Sequence, residues 1–141
     1  MSRVRIILDT NVVLSALIKV DSKPYKVVQA WLDGRFELVS SAAQLEEIAR
    51  VSRYSQVRRF IEPAEVGWLV NRIRDRALLV ERFPEVDASA DPGDNFLLAM
   101  AEAANSDYLV TGDKAGLLAI EKHGRTHVVT ISRMLATLNI R

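Results

Sequence analysis

Apolar residues gather in five short runs separated by stretches of helical spacing. The first, residues 4–8 (Val-Arg-Ile-Ile-Leu), is β-branched and apolar apart from Arg5 and stops at Asp9, as a buried strand does when it closes on a polar turn. Comparable runs occupy 36–39, 77–80, 108–110 and 128–131. Gly34 and Pro63 punctuate the middle, Ser40 and Ser41 are placed to cap a helix over 42–51, and Ser132 is placed to cap a last helix ending near Leu138. Strands alternating with helices predict an α/β protein, a three-layer α/β/α sandwich around a mainly parallel sheet of about five strands with right-handed crossovers. In such sheets the site lies beyond the carboxyl ends of the strands, near the switch in strand order. No repeat or linker interrupts the pattern; the loop 88–93 comes nearest, and it leads into an apolar helix from Phe96 to Ala104.

Length and composition narrow this picture. At 141 residues, 49% of them apolar and 26% charged, the chain suits one domain, residues 1–141, with a real core. Asp9 and Asn11 break the opening apolar run too early for an export signal, and the run 12–18 is far below the roughly 20 residues that span a bilayer. A cytoplasmic protein with no membrane partner is expected. With no cysteine and only His123 and His127, thiolate and histidine-rich metal sites are excluded, as is a cysteine nucleophile. Carboxylates must do any metal work.

The net charge of +1 conceals an asymmetry. Residues 50–82 carry eight arginines against four acids, so that segment is strongly basic and the remainder is acidic. Such a stretch is suited to a phosphate backbone, although a solvated helical face laced with salt bridges reads the same way. Arg53, Arg58 and Arg59 are the candidates for contact with nucleic acid.

Three acids fall where the predicted sheet would bring them to one edge. Asp9 follows the first strand directly; Asp113 follows the strand at 108–110 through Thr111-Gly112; Asp94 stands in the first turn of the Phe96 helix, where backbone N–H groups favour a carboxylate. Each has a plain structural reading as a cap or turn residue. Asn11 would serve as an N-cap, Asp91 and Asp94 resemble a capping box with Pro92 at the first helical position, and Asp113 would cap a short helix. Three unrelated caps need not all be acidic or share an edge, however, and carboxylates clustered within about 5 Å are costly unless a cation neutralises them. All-oxygen ligands suit Mg²⁺ or Mn²⁺.

Four segments together, Asp9-Thr10-Asn11-Val12, Ser41-Ala42-Ala43-Gln44-Leu45-Glu46-Glu47-Ile48, Asp91-Pro92-Gly93-Asp94-Asn95 and Leu109-Val110-Thr111-Gly112-Asp113, resemble in order and spacing the motifs of the PIN-domain family, particularly its prokaryotic members described as toxins of toxin–antitoxin pairs. The resemblance implies Mg²⁺- or Mn²⁺-dependent cleavage of single-stranded RNA, with metal held by Asp9, Glu47, Asp94 and Asp113. It also implies a cognate antitoxin as partner, and a homodimer, since PIN-like proteins often associate. A helical wheel through Leu45, Ile48, Ala49 and Ser52 selects neither Glu46 nor Glu47; the family pattern, leucine two residues before the acid and isoleucine directly after, selects Glu47. Asp91 stays open between an outer acid and a cap, and Thr10, Asn11 and Thr111 are candidates for orienting ligands or water. Trp31 and Trp68 are apolar residues available to a dimer surface, although tryptophan is more often core.

Rival readings are weaker. A phosphatase of the haloacid-dehalogenase type expects a second Asp where Asn11 stands, and a receiver domain wants a later strand ending in Lys, which is not evident. The remaining alternative is a catalytically silent PIN-like module that binds RNA or protein.

Overall fold

The computed structural model describes residues 3–112 and 115–141. Its centre is β1 (Arg5–Leu8), flanked in parallel by β2 (Glu37–Ser40) and β4 (Tyr108–Thr111). β3 (Leu78–Leu79) extends one side, β6 (Thr126–Thr130) the other, and β5 (Lys122–His123) pairs antiparallel with β6, giving the order β3-β2-β1-β4-β6-β5. The sheet is thus mainly parallel and six-stranded, one strand more than the apolar runs predict. β5 is missed because it has two residues and no apolar run; the sharp turn between it and β6 uses Gly124 at φ +59°.

Side chains alternate across the strands and divide the core in two. Ile6 and Leu8 pack with α1 (Thr10–Ile18), α2 (Lys23–Leu32), α3 (Ala42–Ser52), α5 (Pro63–Arg76) and α8 (Ile131–Thr137). Ile7, Val39 and Leu109 point the other way, onto α6 (Pro92–Ala104) and Leu117 of α7 (Ala115–Ile120). Three layers result, as expected for an α/β/α sandwich. The short α4 (Ser55–Arg58) joins α3 to α5. Trp31 is 3% exposed and belongs to the core, whereas Trp68 on α5 is 47% exposed.

Local signals set most helix ends. Ser41 caps α3 by accepting from Gln44 N (3.1 Å), and Asp91 caps α6 with Pro92 following. Two caps differ from the sequence reading. Asp9, not Asn11, caps α1, and Thr130, not Ser132, caps α8 by accepting from Arg133 N (3.1 Å). In both cases the strand runs straight into the helix, so the last extended residue is already the cap. No described helix is long and apolar enough to cross a membrane.

α6 ends at Asn105, which takes the left-handed conformation at φ +49°. Asn105→Gly should leave stability near wild type, and Asn105→Ala should cost about 1 kcal/mol, because a Cβ without a local hydrogen-bonding group is disfavoured there. Urea unfolding of the two variants checks this.

Candidate active site

Parallel pairing brings the ends of β1, β2 and β4 to one edge. Ile7 is level with Val39 and Leu109, and Leu8 with Val110, so Asp9 leaves β1 beside Thr111 of β4. The chain adds β2 on one side of β1 and β4 on the other, which makes the gap between β1 and β4 the topological switch point. Asp9 occupies it, 3% exposed. Its backbone N donates to Val110 O (2.9 Å), its Oδ1 accepts from Asn11 N (3.4 Å), and its Oδ2 accepts from the Thr111 hydroxyl (3.0 Å). Asp9 and Thr111 both follow the alternation set by Ile7 and Leu109, toward the layer that holds α6.

α6 carries the second acid to the same edge. The Arg5 guanidinium, at the start of β1, donates to Ala104 O (2.8 Å), at the end of α6, so the helix runs antiparallel to the strand. Ten residues of helix back from Ala104 rise about 15 Å, and four residues of strand on from Arg5 rise about 13 Å. Asp94 therefore arrives level with Asp9. It is 4% exposed, although it sits in a first turn where acids are usually solvated. Its Oδ2 accepts from the Ser89 hydroxyl (3.0 Å), and a Cβ on Gly116 in α7 would lie 3.5 Å from that oxygen, so the segment following β4 comes close to it. Ser89 is held by Asn95, whose Oδ1 accepts from Ala88 N (3.0 Å) and Ser89 N (2.9 Å) while its Nδ2 donates to Ser89 O (2.8 Å). Asp91 is exposed and accepts from Gly93 N (2.8 Å), which is the work of a cap.

A comparison with known families bears on the α/β/α sandwich as a whole. The family model described as PIN domain matches residues 5–115. The chain belongs to the PIN-domain family. No curated protein matches it. PIN domains are generally nucleases and typically use divalent metals.

The remaining PIN motif residues are placed less uniformly. Glu47 is half-buried on the second turn of α3, and Glu46 beside it is exposed, a difference the helical wheel did not resolve. Asp113 lies outside the described residues. Among the described residues, no three His, Asp or Glu side chains come together as a metal-holding group. Asn11 is exposed; Thr10 is buried, and its hydroxyl is one of two buried side-chain oxygens found without a hydrogen-bond partner among the described residues. Arg53, Arg58 and Arg59 are all exposed at the C-terminal end of α3 and around α4. Buried Asp9 and Asp94, with the buried Thr10 hydroxyl following Asp9 in the chain, offer oxygen donors alone, the chemistry that suits a hard divalent cation.

Three residues at this edge escape sequence reasoning. Ser89 and Asn95 position Asp94, as described above. Gln44 is 2% exposed; its Nε2 donates to Leu8 O (2.7 Å) and its Oε1 accepts from the Ser40 hydroxyl (2.6 Å). It ties α3, which bears Glu47, to the residue preceding Asp9. Ser41-Ala42-Ala43-Gln44 reads as a capping box, in which Gln44 would reach back to Ser41 N, but the side chain goes instead to the next strand. Gln44→Leu should destabilise the protein by about 1–3 kcal/mol, since it strands two buried groups. Gln44→Glu, which keeps the acceptor but sets a buried carboxylate against Leu8 O, should destabilise the protein at least as much in thermal unfolding.

Proposed function

We propose that this PIN domain is a metal-dependent endoribonuclease that hydrolyses phosphodiester bonds of single-stranded RNA. The observation that carries the reading is the burial of Asp9 at the β1–β4 switch point and of Asp94 in the first turn of α6, with one oxygen of each held by a hydroxyl from Thr111 or Ser89. Caps do not need burial, as exposed Asp91 demonstrates on the same helix. Burying two carboxylates on one edge is costly, and a cation-binding role accounts for that cost.

Asp9 and Asp94 would be the principal ligands of Mg²⁺ or Mn²⁺, with Glu47 and Asp113 binding directly or through water. The ion, when bound, supplies a water of lowered pKa and positive charge against the phosphate. The chain's own work is positional. Thr111 and Ser89 direct the carboxylate oxygens by donating to them, Gln44 sets α3 against the end of β1, and the Thr10 hydroxyl is available to a water at the site. No protein nucleophile is required, and Arg53, Arg58 and Arg59 would take the RNA backbone. In this reading residues 1–141 act as one nuclease domain in the cytoplasm. By resemblance it is the toxin of a toxin–antitoxin pair, restrained by a cognate antitoxin protein and able to form a homodimer.

Purified protein should cleave a single-stranded RNA with Mg²⁺ or Mn²⁺ and stop with EDTA. Asp9→Asn and Asp94→Asn should each lower the rate by at least about a hundredfold, beyond the range usual for outer-shell partners. Glu47→Gln should impair cleavage while Glu46→Gln leaves it unchanged. Cleavage retained by the Asp9→Asn, Asp94→Asn double variant sinks the proposed site; RNA binding without cleavage or Mn²⁺ binding would favour a catalytically silent binding module.

A further inference from the structure

The segment from Arg50 to Ile61 exposes two aromatic rings that its own packing does not require. Val57 and Ile61 turn inward and join the core, so the segment is already anchored. Tyr54 is nevertheless 48% and Phe60 56% exposed. Tyr54 stands at the N-cap of α4 and makes no side-chain cap bond there, although that position ordinarily selects Ser, Thr, Asp or Asn. The guanidinium of Arg59 lies 5.2 Å from the Phe60 ring centroid, which leaves the cation and the aromatic face presented side by side. Capping and core packing explain neither ring.

Charge decides what fits this surface. Residues 50–61 hold four arginines and no acid. A second copy of the chain docking here about a two-fold axis would set like charges against each other. Single-stranded nucleic acid brings phosphates to the guanidinium groups and unpaired bases to the rings, whereas a duplex keeps its bases stacked internally. The segment also continues directly from α3, whose first turn Gln44 ties to the end of β1 and whose second turn carries Glu47. Arg53 lies six residues beyond Glu47, about 9 Å along the helix.

We propose that Tyr54 and Phe60 form a base-stacking platform which, flanked by Arg53, Arg58 and Arg59, holds single-stranded RNA at the C-terminal end of α3 and excludes duplexes. The direction of the bound strand toward the acids rests on the nuclease reading; the platform itself does not.

The test is fluorescence anisotropy in EDTA, so that no cleavage intervenes, with a labelled oligouridylate, the same sequence annealed in a duplex, and a base-free oligo(deoxyribose phosphate). Tyr54→Leu and Phe60→Leu keep apolar bulk but lose the aromatic face, and thermal unfolding should match wild type because both rings are exposed. Each should weaken oligouridylate binding about fivefold or more, leaving its salt dependence and the base-free probe unchanged. Arg58→Ala with Arg59→Ala should instead flatten the log K against log salt slope by about 0.7 for each phosphate that is no longer neutralised. Phe60→Tyr should bind as wild type. Ring variants that bind oligouridylate normally, an equal loss on the base-free probe, or equal affinity for the duplex would overturn the proposal. So would a wild-type dimer in sedimentation velocity that Tyr54→Leu with Phe60→Leu dissociates, since the patch would then belong to a second copy. Ring-dependent binding without Mn²⁺-dependent cleavage leaves the platform standing and removes the nuclease reading; cleavage with ring-independent binding does the reverse.

Discussion

A central strand hydrogen-bonded in parallel on both sides constrains everything around it. β1 cannot end at a different level from β2 and β4 without losing ladder bonds, so the chain leaves all three strands at one edge. Each exit must then turn back across a face of the sheet, which places Asp9, Ser41 and Thr111 side by side and puts the start of α3 over the end of β1. The return helix α6, fixed at its far end by Arg5, brings Asp94 up to the same level from the opposite layer. Strand pairing and helix length direct Asp9 and Asp94 toward this edge.

Holding charged groups there demands donors that water would otherwise supply. The sheet provides Thr111, and the loop before α6 provides Ser89, kept in place by the Asn95 side chain, which makes two hydrogen bonds with Ser89 and one with Ala88. Gln44 has the same economy, bonding to the end of β1, to the end of β2 and, through its backbone, to the cap of its own helix. Such multiply bonded amides resist displacement because breaking any one bond leaves a partner without its own. They give the acidic edge a rigid frame, while the arginines and aromatic rings of residues 50–61 lie in solvent, where a long flexible polymer can reach them. Rigid acids and an open basic surface are the two parts that the proposed nuclease reading draws on.

Several features were legible from the order of residues alone. An apolar run closing on Asp9, a second closing on Thr111-Gly112, and a capped apolar helix beginning beside Asp94 need only local periodicity to be read, and the α/β/α architecture follows from their alternation. The two-residue β5 carries no such period, and the strand at 77–80 shrinks to Leu78–Leu79 because it sits at the sheet edge with a single neighbour. Caps at strand-to-helix junctions shift by two residues for a similar reason: the extended residue before the helix is fixed by the sheet, and Asp9 and Thr130 are that residue.

By itself, the sequence determined which chemistry is available, an oxygen-only set of acids and a basic stretch, because those depend on residue identity and short-range spacing. Tertiary structure alone decided what each side chain does. It buried Trp31 and left Trp68 in solvent, separated half-buried Glu47 from exposed Glu46, made Asp91 a cap and Asp94 a buried acid, and sent Gln44 to a neighbouring strand. Those choices depend on contacts between residues far apart in the chain, such as the 36 positions between Gln44 and Leu8 or the 102 between Thr111 and Asp9, and only the register of a folded sheet sets them.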